Sequence, residues 1–181
     1  MTERPTTDRA DLAQIKRELL DAALLRGDFL LSSGARSDYY LDKYRFETRP
    51  ALLRSLAERL ADLVPADVDR LAGTELGAVA LATAVSLQTG LPFVIVRKVE
   101  KEYSTAKLIE GELVPGEMIL VLEDVITTGT QSIKAADRVV AAGGIVAGIL
   151  AVVDRQEGGE ARIAEAGYTL TSLFTRADLG I

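Results

Sequence analysis

The stretch from Ile119 to Leu122 is an apolar run without polar alternation. It delivers two adjacent carboxylates, Glu123 and Asp124, into a short loop containing Thr127, Thr128, Gly129 and Thr130, after which a helix-like pattern begins. A continuous Val/Ile/Leu run of this kind reads as a strand buried on both faces, which requires helices on either side of a largely parallel sheet. This segment therefore points to an α/β architecture, and the rest of the chain agrees with it.

Leu12, Ile15, Leu19, Ala22 and Ala23 recur at helical spacing and predict an amphipathic helix from Asp8 to Arg26, stopped at Gly27. Phe29 to Leu31 and Tyr39 to Leu41 read as two short strands around a turn at Ser33 to Arg36. Pro50 opens a second helix to Leu63, and Pro65 closes it. Strands and helices then alternate. Strands are expected near Arg70 to Ala72, at Phe93 to Val96, Met118 to Leu122, Ile145 to Val153 and Tyr168 to Leu173. Helices are expected at Gly77 to Gln88, Gln131 to Ala142 and near Arg162. In such sheets ligands bind beyond the carboxyl ends of the strands. Gly73-Thr74-Glu75, Glu123-Asp124 and Asp154-Arg155 all fall there.

Composition narrows the chemistry. The 181 residues contain no Cys and no His, which excludes disulfides, thiolate metal sites, Cys nucleophiles and imidazole catalysis. A chain this long buries roughly 70% of its unfolded surface and is expected to form one domain, residues 1–181. A net charge of −6 argues against broad nucleic-acid binding. The N-terminus has no apolar signal core, and no apolar stretch reaches the roughly 20 residues of a membrane span, so a cytoplasmic location is expected. Positive charge is concentrated from Arg97 to Lys107: Arg97, Lys98, Lys101 and Lys107 against Glu100 and Glu102 leave +2.

The loop after the acidic pair has the parts of a monophosphate cradle: three hydroxyls, a glycine and backbone N–H groups at a helix start. Glu123 and Asp124 are candidate acceptors for sugar hydroxyls. The loop lacks a Gly-Lys-Ser/Thr ending, so it is not a P-loop. An acidic pair alone more often caps a turn. The complete run of buried strand, carboxylates, hydroxylic glycine loop and helix is far more specific. Arg155, after a long apolar strand, can hold a planar carboxylate in two-pronged fashion, or pair with Asp154 or Glu157.

The segment around Glu123 to Thr130 resembles the 5-phosphoribosyl-1-diphosphate (PRPP) motif of the type I phosphoribosyltransferases. Phe29 to Gly34, Ser37-Asp38-Tyr39-Tyr40, Arg97 to Lys101, Ile109-Glu110-Gly111 and Asp154 to Glu157 are similar, in order and spacing, to the orotate branch of that family. The resemblance spans roughly Asp11 to Leu173. It implies a mostly parallel sheet flanked by helices, with a small hood-like N-terminal unit and a mobile lid. Residues 8–45 would form part of the base pocket, and the lid would run over about 98–112.

By the same resemblance PRPP would be met by Arg97, Lys98, Lys101, Tyr103, Glu123, Asp124, Val125, Ile126, Thr127, Thr128, Gly129, Thr130 and Gln131. Orotate would be met by Thr127, Arg155, Ser32 and the backbone of Tyr40 and Leu41, and Asp124, Lys101 and Glu123 would be catalytic. The implied reaction joins N1 of orotate to the ribosyl group of PRPP with release of diphosphate. Mg²⁺ would ride on the substrate with no metal-ligating residues from the protein, and a homodimer would share its lids between subunits. Many relatives carry Lys at the position of Ser32, Lys within the turn at Thr74 to Leu76, and His at the position of Tyr103. These differences bear on how orotate is matched and on the pH profile. The alternatives are a phosphoribosyltransferase for another base and a PRPP-binding regulatory protein. Arg155 favours orotate over other bases, and no added nucleic-acid-binding segment is visible.

Overall fold

The computed structural model describes residues 11–30, 36–98 and 108–181. Helix α1, Leu12–Ala23, is capped by the Asp11 side chain, which accepts from the Ala13 N–H at 3.2 Å. It ends earlier than its periodicity suggests. Residues 24–26 already belong to strand β1, Leu24–Leu30, which pairs antiparallel with β2, Arg36–Leu41. Cross-strand pairing of Leu24 with Leu41 outweighs the helical tendency of that stretch, and Gly27 lies inside the strand at an irregularity in register. A helix not foreseen from the sequence follows at once: α2, Lys43–Glu47. At five residues it is too short to show a periodic stripe.

After α3, Pro50–Asp62, the chain lays down β3, Arg70–Thr74; α4, Ala78–Thr89; β4, Phe93–Val96; β5, Ile109–Glu110; and β6, Met118–Ile126. It closes with α5, Thr130–Ala141; β7, Ile145–Asp154; α6, Gly159–Glu165; β8, Leu170–Thr175; and α7, Arg176–Leu179. The main sheet runs β5-β4-β3-β6-β7-β8, parallel except for β5 against β4. The last residues of the expected lid therefore overlap a sheet edge at Ile109–Glu110. The second difference concerns β6, which continues through both carboxylates because Val125 and Ile126 pair with Val153 and Asp154 of β7.

Alternation along β6 sorts its side chains between two cores. Leu120 and Leu122 pack with Leu52, Leu56 and Leu60 of α3 and Leu81 and Val85 of α4. Ile119 and Val121 pack with Ala135, Ala136 and Val139 of α5. Burying each of these leucine, isoleucine and valine side chains stabilises the fold by roughly 1.5–3 kcal/mol. The same alternation continues into Glu123 and Asp124, and this positions the site. Among the described residues no helix is long and apolar enough to cross a membrane.

Candidate active site

A cleft opens at the carboxyl ends of β3, β4 and β6. Its wall contains Lys43, Thr74, Glu75, Gly77, Lys98, the run from Glu123 to Ser132, and Arg138. The loop after β6 turns at Gly129, whose φ of 73° is the left-handed region that glycine enters without steric cost. A Cβ there would also lie 3.0 Å from the Gly159 carbonyl oxygen. The loop delivers the first turn of α5, whose leading N–H groups have no partner inside the helix and face outward as anion donors. Thr128 and Thr130 hydroxyls lie 3.2 Å apart, and Arg162 of α6 donates to Thr130 Oγ1 at 2.9 Å.

The two carboxylates point to opposite faces of the sheet. Glu123 turns toward α5 and is held there: Thr74 donates to one oxygen at 2.7 Å and Ser132 to the other at 3.0 Å. Burial, reinforced by the charge of Asp124 and opposed by these two hydrogen bonds, pushes Glu123 up to about 7. Asp124 turns toward α2 and α4. Its Oδ2 is 2.6 Å from Lys43 Nζ, an ion pair rather than a well-aligned hydrogen bond, and its Oδ1 accepts from the Val125 N–H at 2.5 Å.

Beside it lies Glu47, also buried, with Oε1 lacking a hydrogen-bond partner. Burial, then the charge of Asp124 and a hydrogen bond shared with it, push Glu47 up to about 9 against the pull of Lys43. Two facing carboxyls cannot both ionise cheaply, so Glu47 keeps its proton at neutral pH. Burial works against the charge of Lys43, but Asp124 outweighs it, and the ammonium's pKa lies above its ordinary value. Gly77 completes this side. A Cβ at Gly77 would fall 1.6 Å from Asp124 Oδ2, so this turn accepts only glycine with the carboxylate in place.

Arg155 leaves the end of β7, its N–H bonded to the Ile126 carbonyl at 2.9 Å. The guanidinium is buried and lies over the Tyr39 ring at 5.3 Å, with Nη2 2.7 Å from Glu157 and Nε without a hydrogen-bond partner. Of the two pairings open from sequence, the one with Glu157 forms. Asp154 instead accepts from the Gln156 N–H. In β2 the side chain that reaches inward is Tyr39, whereas Tyr40 faces solvent and stacks near Phe29, and Leu41 enters the core.

Lys98 lines the cleft. Arg97 is held by Glu75 at 3.6 Å and Glu110 at 3.7 Å, outside the cleft wall. Arg138 of α5 donates to the carbonyls of Arg97 at 2.6 Å and Lys98 at 2.9 Å, tying the start of the basic segment to the helix that follows the hydroxyl-rich loop. Ser32, Lys101 and Tyr103 lie outside the described residues. Sequence reasoning missed Tyr39, Lys43, Glu47 and Arg138. Alternation in β2 could have identified Tyr39, since Ser37, Tyr39 and Leu41 share a face. Nothing local marks the other three.

No family model matches the chain. Individual proteins do. It is 46% identical over 153 residues to the orotate phosphoribosyltransferase of Methanocella arvoryzae, covering 84% of this chain and 87% of that protein. It is 47% identical over 153 residues to that of Halobacterium salinarum, with 84% and 87% covered. Among solved structures, orotate phosphoribosyltransferase of Mycobacterium tuberculosis in complex with Fe(III) dicitrate superimposes with a TM-score of 0.84 at 33% identity, covering 95% of this chain and all of the other. The same protein in complex with PRPP gives a TM-score of 0.80 at 32% identity, again covering 95% of this chain and all of the other. At 46% identity to the M. arvoryzae protein across most of both chains, this chain belongs to the orotate phosphoribosyltransferase family.

Proposed function

We propose that the protein transfers the 5-phosphoribosyl group of PRPP to N1 of orotate, giving orotidine 5′-monophosphate and diphosphate in pyrimidine nucleotide synthesis. The observation that supports it most is the buried guanidinium of Arg155, with an unpartnered Nε, at a strand end beside the hydroxylic phosphate loop. One site suits a planar carboxylate, the other a phosphomonoester.

In this reading the first turn of α5 and the hydroxyls of Thr127, Thr128 and Thr130 hold the 5′-phosphate, with Val125, Ile126, Gly129 and Gln131 shaping the cradle. Asp124 accepts from the ribose hydroxyls and offsets positive charge as the anomeric carbon becomes oxocarbenium-like. Glu123, with both oxygens occupied, acts by fixing the strand tip against Thr74 and Ser132. Arg155 and Thr127, with Ser32 and the backbone of Tyr40 and Leu41, meet orotate. The work is alignment and charge stabilisation, for which neither imidazole nor thiol is needed.

Arg97, Lys98, Lys101 and Tyr103 serve the diphosphate, Lys98 from the wall of the chain's own cleft and the lid residues beyond it shared between the subunits of a homodimer. Mg²⁺ fits as a companion of the substrate. Among the described residues there is no group of three or more His, Cys, Asp or Glu side chains arranged to hold a metal, and hard oxygen donors with retained waters suit the ion. When bound, it would neutralise charge on the departing diphosphate. The chain folds as one unit of residues 1–181, with residues 8–45 forming part of the base pocket, and works in the cytoplasm.

The test is PRPP consumption with orotate beside adenine, hypoxanthine, xanthine and uracil. Turnover confined to orotate is expected, with Arg155→Ala raising the KM for orotate by about a hundredfold. Preference for any other base would overturn the reading.

A further inference from the structure

The turn between β3 and α4, residues 75–77, borders the cleft yet carries no cation. Its one charged side chain, Glu75, is engaged by Arg97 and by the Lys98 N–H. Sheet order places this turn between the ends of β4 and β6. Lys98 follows β4 on one side, and on the other the tip of β6 carries Asp124, with Lys43 reaching in from α2. These are the two lysines of the cleft wall among its described residues. The arginine in that wall, Arg138, is committed to the carbonyls of Arg97 and Lys98. Two ammonium groups thus bracket a turn that has no positive charge of its own.

Lys43 is not sunk into the protein as a purely structural counter-ion would be. Its side chain keeps 31% of its surface exposed, and Nζ lies 3.0 Å from the point a Cβ of Gly77 would occupy. An ammonium has three N–H donors, and Asp124 uses one direction. The remaining donors can face the cleft.

We propose that Lys43 is a diphosphate-binding residue, which Asp124 holds over the β3–α4 turn so that its ammonium meets the leaving group of PRPP. This rests on the phosphoribosyltransferase reading and adds to it a cation donated by the N-terminal unit. A leaving group with several negative charges requires fixed cations on more than one side, and Lys43 supplies the side opposite Lys98. The protein thereby couples seating of α2 to binding of PRPP. Asp124 then has two tasks, toward the ribose and toward the ammonium.

Calorimetric titration of the full-length protein with PRPP, inorganic diphosphate and orotidine 5′-monophosphate, all with Mg²⁺, separates this from a structural role. The nucleotide contains the ribose 5-phosphate but no diphosphate. Lys43→Met is expected to weaken PRPP and diphosphate by about tenfold while leaving the nucleotide within about twofold, and Lys43→Arg to restore most of the loss. Equal weakening of all three ligands would mean that Lys43 only holds Asp124, and no weakening would mean that it holds nothing; either overturns the assignment. If Lys43→Met loses its cooperative melt, Lys43→Gln is titrated in its place against the same criteria. A wild-type protein that binds neither PRPP nor the nucleotide would instead refute the underlying activity, and the assignment with it.

Discussion

Glu123 and Asp124 are consecutive in the chain, yet the two sides of the β6 tip they occupy are chemically unlike. On the α5 side Glu123 is satisfied by two hydroxyl donors, and its raised pKa keeps it partly protonated near neutrality. On the α2 side Asp124 faces a carboxyl that keeps its proton, an ammonium at 2.6 Å and a glycine with no room for a methyl group. One side has settled its polar groups. The other keeps an ion pair and a second carboxyl close together at the cleft, and it is the side on which the proposed catalytic carboxylate lies.

The largest expected effect comes from removing the charge on the second side. Asp124→Asn should lower kcat/KM by about a thousandfold, the scale of losing an aligned electrostatic group. Its melting temperature should stay level or rise, because Glu47 is relieved of a facing negative charge. A large drop in melting temperature with near-normal turnover would reverse the roles assigned to the two sides.

Gly77→Ala should come next. The added methyl falls 1.6 Å from Asp124 Oδ2, so the carboxylate must move. A shift of this size is expected to cost about a hundredfold in turnover and about 1–3 kcal/mol in denaturant stability. Wild-type activity in this variant would show that the carboxylate's position is not critical.

The smallest effects lie in the pH dependence of stability, and they distinguish the two sides directly. Folding keeps a proton on Glu47 up to about 9 and on Glu123 up to about 7, whereas both would ionise near 4.5 when unfolded. Across those ranges the folded state binds more protons, so stability is greatest at low pH and declines as pH rises through them. Thermal melts of Glu47→Gln should stop declining by about pH 7, and those of Glu123→Gln should keep declining to about pH 9. Two variants with the slope of the wild type would place the protons elsewhere.

The α5 side of the site was largely legible in the amino-acid order. Strand, acidic pair, hydroxylic glycine loop and helix are contiguous, so strand periodicity and turn chemistry place Thr127 to Gln131 without knowledge of the rest. The strand boundary was less legible, because pairing of Val125 and Ile126 with β7 carries β6 past its apolar run. The α2 side was hidden. Tyr39 was within reach of alternation, but Lys43 and Glu47 belong to a helix too short for a periodic signal, and Arg138 reads as an ordinary basic residue near a helix end.

By itself the sequence determined an α/β sheet with helices on both faces, a hydroxyl-rich glycine loop after a buried apolar run, and an acidic pair between the two. Those properties depend on local spacing, which survives without tertiary context. Tertiary structure alone decided that the pair divides between two faces of the sheet, that α2 brings Lys43 and Glu47 against Asp124, and that Arg155 rests on Tyr39. Such contacts arise when packing joins segments far apart in the chain, and the resulting burial, not the identity of any one residue, sets where protons and charges reside.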